Sequence, residues 1–102
     1  MRKPPPVAKP QTPDQRVDED LRVAGFYMDN ENLAGAYLRA KDAVKTEPDY
    51  SETHFMLAQV LQKMKKKDEA IAEYKAYLKM DPNGDRVKAV NRALDELDCG
   101  RK

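Results

Sequence analysis

The residue types that most often carry catalysis are scarce in this chain of 102 residues. It contains one histidine, His54, one serine, Ser51, one cysteine, Cys99, and no tryptophan. A serine or cysteine nucleophile needs a neighbouring base that a third group orients. No other Cys or His and no paired carboxylate stands at metal-ligand spacing around His54, and one cysteine excludes an internal disulfide framework. We therefore expect no catalytic residue, no metal site and no cofactor.

The densest positive charge lies in the run Lys63–Lys67, which could contact phosphate or an anionic lipid. The run falls at an expected turn between helices, where the helix dipole favours lysines and water solvates them. The whole chain has 19 Lys and Arg against 18 Asp and Glu, which excludes the strong positive field of many nucleic-acid binders. Its apolar runs are far shorter than the roughly 18–20 residues of a membrane span. We expect neither nucleic-acid binding nor membrane insertion.

Five of the seven prolines fall in the first thirteen residues. Residues 1–12 are therefore predicted to be a disordered, proline-rich linker or tail, and basic side chains outnumber acidic ones there. No apolar stretch follows the basic residues, so this is not a secretory signal. Residues 99–102 are expected to form a polar tail. The compartment stays open, with the cytoplasm as the default, and the arm suggests a piece of a longer protein.

Between these ends, apolar side chains recur at helical spacing in five stretches. The stretches lie within residues 21–28, 33–44, 53–64, 70–78 and 87–97. Polar turns at 29–31 and 65–67 separate the members of the first two pairs. The pattern predicts an all-α chain of about five helices.

Two helix starts have a capping signature. Thr12 precedes Gln15 by three residues, with Pro13 at the first helical position, where its missing N–H costs nothing. Asp49 likewise precedes Glu52 by three residues. We expect a capping box at each start.

The interval from Pro48 to Pro82 is a candidate repeat length. Each of these prolines is also expected to end the helix before it, because a proline cannot continue a helix. Laying residues 17–50 over 51–84 gives five identities along this period. They are Ala24/Ala58, Ala36/Ala70, Lys41/Lys75, Lys45/Lys79 and Pro48/Pro82. Matched substitutions such as Val23/Leu57 and Val44/Leu78 accompany them. The chain therefore reads as two copies of one helix pair.

Each copy carries a recognisable set of positions. The second reads His54-x2-Leu57-Ala58-x2-Leu61, then Ala70-x3-Tyr74, then Pro82; the first reads Asp20-x2-Val23-Ala24-x2-Tyr27, then Ala36-x3-Ala40, then Pro48. This pattern resembles the tetratricopeptide repeat (TPR) family. The resemblance implies a right-handed superhelix of antiparallel helix pairs within residues 13–98, made of repeats 17–50 and 51–84 and a capping helix 85–97. The structural positions it implies are Ala24, Tyr27, Ala36, Ala43, Pro48, Leu57, Ala58, Ala70, Tyr74 and Pro82.

Three departures from the family pattern carry expectations of their own. His54 stands where the family places a large aromatic side chain, so a packed imidazole is expected rather than a ligand. The pair Glu19-Asp20 suggests that the outer side of the first helix is solvated. Tyr77 replaces the small residue that Ala43 supplies in the first copy, so it needs room and a partner for its hydroxyl.

The resemblance also implies a binding surface, because the first helix of each repeat lines the concave face where family members bind peptides. The groove residues expected here are Arg22, Gly25, Met28, Phe55, Met56, Gln59, Lys63 and Arg86. Phe55 and Met56 lie off the apolar stripe of their helix, so we expect them to be exposed anchors in a mixed patch. Among the positions that clamp a peptide carboxylate in one subfamily, only Arg86 fits, which argues against that mode.

Two functions of different classes follow. The first is a non-catalytic scaffold whose groove binds another protein or a peptide segment. The alternative is self-association into a homodimer through the terminal helices, for which Phe26, off the stripe of its helix, is the candidate.

Overall fold

The computed structural model describes residues 12–99, apart from the side chain of Cys99, and these residues form five α-helices without a strand. The helices are α1 (Pro13–Asp29), α2 (Leu33–Thr46), α3 (Ser51–Lys63), α4 (Lys67–Met80) and α5 (Val87–Cys99). The predicted all-α class is therefore confirmed. The predictions for residues 1–11 and 100–102 lie outside the described residues. Lys67 opens α4 rather than belonging to the preceding turn, and Cys99 ends α5 rather than opening a tail.

Neighbouring helices pack in the order expected of stacked hairpins. The contacts are most extensive between α1 and α2 and between α3 and α4, and α2 then packs on α3. The helix α5 packs on α4 less extensively, and α1 also touches α3. Each pair thus buries against its neighbour the face that it cannot bury alone, as in an α-helical solenoid.

The two turns within the hairpins have the same backbone conformation at positions one repeat length apart. Glu31 and Lys65, which occupy equivalent positions in the two copies, both take the left-handed conformation, with φ of 61° and 66°. The next amide in each turn closes the same bond: the N–H of Asn32 donates to Tyr27 O at 2.8 Å, and that of Lys66 to Leu61 O at 2.9 Å. A left-handed residue with this bond ends a helix in a Schellman-like turn. Both turns therefore reverse the chain in the same way.

One of the two expected capping boxes is present. Thr12 Oγ1 accepts from the N–H of Gln15 at 3.2 Å, and the N–H of Thr12 donates to Gln15 Oε1 at 3.1 Å. The box expected from Asp49 is wrong, because the residue before α3 is Tyr50, whose side chain caps nothing. Glu52 is instead paired with Arg86, at 3.2 Å.

The core is built from alanines where helices cross and from larger side chains between them. Ala24, Ala36, Ala43, Ala58 and Ala70 are fully buried. Leu57 and Tyr74 are 3% and 2% exposed, whereas Tyr27 is half-buried and packs against the core. Pro48 and Pro82 lie in the loops that follow α2 and α4, and both are exposed. Small residues at the crossings let the backbones approach, which fixes how the first helices lie relative to one another.

Candidate binding groove

Helices α1 and α3 are in contact, and each carries a row of side chains that the family resemblance places on one inner surface. We call this surface the α1–α3 groove and define it by six residues. They are Arg22, Gly25 and Met28 on α1 and Met56, Gln59 and Lys63 on α3. In each helix these positions follow one another at three- or four-residue spacing, so they share a face.

The groove mixes accessible charge with partly covered apolar surface. The Arg22 side chain is 57% exposed and is paired with Glu19 at 2.7 Å, and Lys63 is exposed as well. Met28 and Met56 are half-buried and pack against the core on one side. A side chain added at Gly25 would meet nothing within 4 Å, so this glycine leaves an open space on α1. Such a surface suits an extended or helical segment with both apolar and polar groups.

Phe55 is not an exposed anchor, and that expectation is wrong. Its side chain is 6% exposed and packs against Tyr74 and Tyr77, with ring centroids 6.2 and 5.8 Å apart. The guanidinium carbon of Arg86 lies 5.0 Å from the Phe55 ring centroid and covers the remaining face. The three side chains that cover Phe55 come from later elements: the two tyrosines from α4 and the arginine from the loop after it. Phe55 therefore belongs to the core beneath the end of the groove.

Arg86 itself is fixed from two directions. Its Nε donates to both carboxylate oxygens of Glu52 at 3.3 Å, and its Nη2 donates to Oε1 at 3.2 Å. This bond raises the pKa of the Arg86 guanidinium above its usual value. The backbone N–H of Arg86 donates to Tyr77 Oη at 2.9 Å, and Tyr77 is fully buried. The expected room and hydroxyl partner for Tyr77 are both present.

The scarce reactive side chains have structural partners. His54 is 9% exposed, and its Nδ1 and Nε2 lie 2.6 Å from Glu73 Oε1 and 2.7 Å from Pro48 O. The imidazole is thus packed, as expected. The hydroxyl of Ser51 donates to Asp81 Oδ2 at 3.3 Å. Within residues 12–99, no group of three or more His, Cys, Asp or Glu side chains could hold a metal ion.

Comparison with known proteins decides the family. The model of the tetratricopeptide repeat family matches residues 27–94, which is two thirds of the chain. The chain belongs to the tetratricopeptide repeat family. TPR domains are, as a class, protein–protein interaction modules built on a scaffold fold, and this chain has that fold.

Solved structures agree on the fold. A solution NMR structure of a tetratricopeptide repeat domain protein from Salinibacter ruber superposes with a TM-score of 0.69 at 20% identity, covering 92% of this chain and 93% of that one. A crystal structure of a tetratricopeptide repeat domain protein from the same organism gives 0.71 at 19% identity, covering 90% and 100%. The comparison with curated proteins gives no match. Within the described part of the chain, no helix combines the length and apolar character that crossing a bilayer requires.

The outer side of the first TPR helix is not uniformly solvated, because Asp20 is 1% exposed. Its Oδ1 accepts from Arg39 Nη1 at 2.9 Å, whereas no donor among the described residues faces its Oδ2. Burial, and then the hydrogen bond that the protonated acid makes with Asp42, raise the pKa of Asp20 to about 6. The same bond, followed by the one from Arg16, lowers the pKa of Asp42. Asp20 therefore keeps its proton to a higher pH than Asp42 does, where α1 packs on α2.

A cavity of about 700 Å³ lies away from the groove, where the start of α1 meets the loop between the two repeats. The residues that line it are Asp14, Asp18, Thr46, Glu47, Pro48, Asp49 and Tyr50. A hydrogen bond with the Asp14 carboxyl raises the pKa of Glu47, because carboxyl groups crowd here. The excess of acidic residues in the first repeat is the only signal of this cavity in the sequence.

Proposed function

We propose that this TPR domain binds a segment of a partner protein in the α1–α3 groove. The observation that carries the proposal is the open space at Gly25, on helix faces that also carry half-buried methionines and accessible cations. Methionines adapt to irregular apolar partners, and Arg22 and Lys63 can bind acidic groups at the rim. Arg86 lies at one end of the groove, above Phe55. For a surface of this size we expect micromolar affinity, roughly −8 kcal/mol.

Gly25→Gln tests the groove without endangering the fold. The Cβ of the new side chain would meet nothing within 4 Å, and replacing a helical glycine is expected to raise the free energy of unfolding by about 0.5–1 kcal/mol. The same side chain fills the groove, so affinity for a bound segment is expected to fall at least about tenfold. A variant that folds better and binds worse cannot be explained by misfolding.

The probe is a peptide selected against the wild-type domain from a displayed random library, and the measurement is isothermal titration calorimetry. Ala34→Gln is the matched control, since Ala34 is an exposed small residue on α2, a second helix of the repeat. It is expected to leave affinity within twofold of wild type. Equal affinity for wild type and Gly25→Gln would show that the groove is not the binding surface.

The self-association alternative stays a prediction. Phe26 is half-buried, with its ring centroid 5.8 Å from that of Tyr27, so it offers only part of a ring to a second copy. Multi-angle light scattering across a range of protein concentrations gives the mass directly. A dimer mass would favour this alternative, and a monomer at the highest concentration would exclude it.

A further inference from the structure

We propose that Arg86 is a latch that fastens α5 and the loop before it over Phe55, and that its release uncovers the aromatic end of the groove. The latch would regulate the groove and so rests on the proposed function, but it is a property of the free domain and can be tested there. Three residues of earlier helices meet at Arg86. They are Glu52 and Phe55 on α3 and Tyr77 on α4.

The side chain joins the residue directly before α5 to the groove helix α3. The guanidinium bonds the Glu52 carboxylate through Nε and Nη2 at 3.3 and 3.2 Å while its central carbon lies 5.0 Å from the Phe55 ring centroid. One residue therefore combines an ion pair with a cation–π contact. No other hydrogen bond or ion pair joins α3 to residues 84–98 of the described chain.

The backbone of the loop is shaped for the same contact. The N–H of Arg86 donates to the buried hydroxyl of Tyr77 at 2.9 Å. A side chain on Gly84 would overlap this hydroxyl and the Asp81 carboxylate, so the loop needs a glycine to approach so closely. The first repeat has Ala43 at the position of Tyr77, and the latch is therefore confined to the α4–α5 loop.

The latch is weak enough to open. The side chains of Arg86 and Glu52 are 50% and 28% exposed, a setting in which ion pairs and cation–π contacts contribute little and salt screens them. Among the described side chains of α5, only Val90 and Ala93 are buried. The helix α5 thus contributes few buried side chains to the core. It also lies at the end of the array, where local opening is easiest.

Hydrogen exchange of the backbone amides, followed by mass spectrometry on the free domain, reports this opening. Removing the two contacts with Arg86→Ala is expected to raise the open population, and with it the exchange rate of α5, roughly 5- to 30-fold. Glu52→Gln, which keeps the arginine and the ring, is expected to accelerate α5 as well, by up to about fivefold. Peptides from α1 to α4 are expected to stay within twofold of wild type.

Arg92→Ala is the matched control, because Arg92 is an exposed arginine on α5, one turn and a half after Arg86, for which the structure shows no side-chain partner among the described residues. It is expected to leave α5 within twofold of wild type. Raising NaCl from roughly 0.05 to 1 M offers a test without mutation, since it screens the ion pair. It should accelerate α5 in wild type and not in Arg86→Ala.

The latch is overturned if α5 in Arg86→Ala exchanges within twofold of wild type, or if Arg92→Ala accelerates it as much. It is also overturned if all five helices accelerate together or the variant unfolds, because Arg86 would then support the whole fold and not a local closure. These outcomes are independent of peptide binding. The groove is judged by Gly25→Gln, so either idea can fail alone.

Discussion

Asp20→Asn is expected to remove a pH dependence from the stability of the domain. The pKa of Asp20 is raised by burial to about 6 from its ordinary value of 3.8. Because the folded state binds this proton more tightly, the stabilising contribution is complete below about pH 4 and is lost as pH rises through 6. A difference of about 2 units between the pKa of Asp20 in the folded and unfolded states lowers the free energy of unfolding by about 3 kcal/mol once the group is fully ionised.

The neighbouring carboxyl group of Asp42 sets the lower limit of the pH range in which the pair stabilises the domain. The pKa of Asp42 is lowered, first by its hydrogen bond with Asp20 and then by the bond from Arg16. Its contribution is therefore present above its ordinary pKa and is lost as pH falls. The pair therefore stabilises the domain most near about pH 4, where the Asp20 contribution is still nearly complete and that of Asp42 is present.

Asparagine imitates the protonated acid. Its carbonyl can accept from Arg39 and its amide can donate to Asp42, yet it cannot ionise. Above about pH 7 the free energy of unfolding of the variant is expected to be up to about 3 kcal/mol higher than that of wild type, while near pH 4 the two should be similar. Urea unfolding followed by circular dichroism between about pH 4 and 8 measures the difference.

Asp95→Asn, at an exposed position on α5, is the control. Its free energy of unfolding should change with pH as that of wild type does. If the free energy of unfolding of Asp20→Asn also follows that of wild type across this range, the pKa of Asp20 is not raised in the folded state. A variant less stable than wild type at the alkaline end would contradict the account as well, because it would mean that ionised Asp20 is the favoured form.

Three further changes test the local structure by urea unfolding. Lys65→Gly is expected to raise the free energy of unfolding by about 0.5–1 kcal/mol, because Lys65 has a φ of 66°, which glycine adopts at less cost than other residues. A lower free energy of unfolding would mean that Lys65 does not have this left-handed conformation. Tyr77→Phe leaves the Arg86 N–H without its acceptor and is expected to lower stability by about 1–3 kcal/mol, and an unchanged value would remove the hydroxyl from the loop contact. Thr12→Ala breaks the capping box and should lower stability by about 1 kcal/mol, whereas Thr12→Ser should keep it.

The repeat architecture could be predicted from local signals. Helical spacing of apolar residues, a proline at the same place in each copy and a threonine cap each act over a short stretch of chain, and the structure has five helices with the turns of both hairpins alike. The same positions that carry the family resemblance also carry the packing. Alanines at the crossings leave little room for a different arrangement.

What the sequence could not reveal depends on side chains that meet across helices. Asp20 looks solvated beside Glu19, yet Arg39 and Asp42 on α2 enclose it. Phe55 looks exposed because it lies off the stripe of α3, but Tyr74 and Tyr77 on α4 and Arg86 in the loop after it cover the ring. Asp49 has capping spacing, but Glu52 pairs with Arg86. In each case a distant partner outweighs the local pattern.

The central claim is that the α1–α3 groove binds a protein segment, and backbone amide NMR titration with the selected peptide tests it most directly. We expect the shifted amides to cluster at residues 22–28 of α1 and 56–63 of α3, and the same titration of Gly25→Gln to leave them largely unmoved. Shifts confined to α2 and α4, or equal shifts in the variant, would contradict the claim.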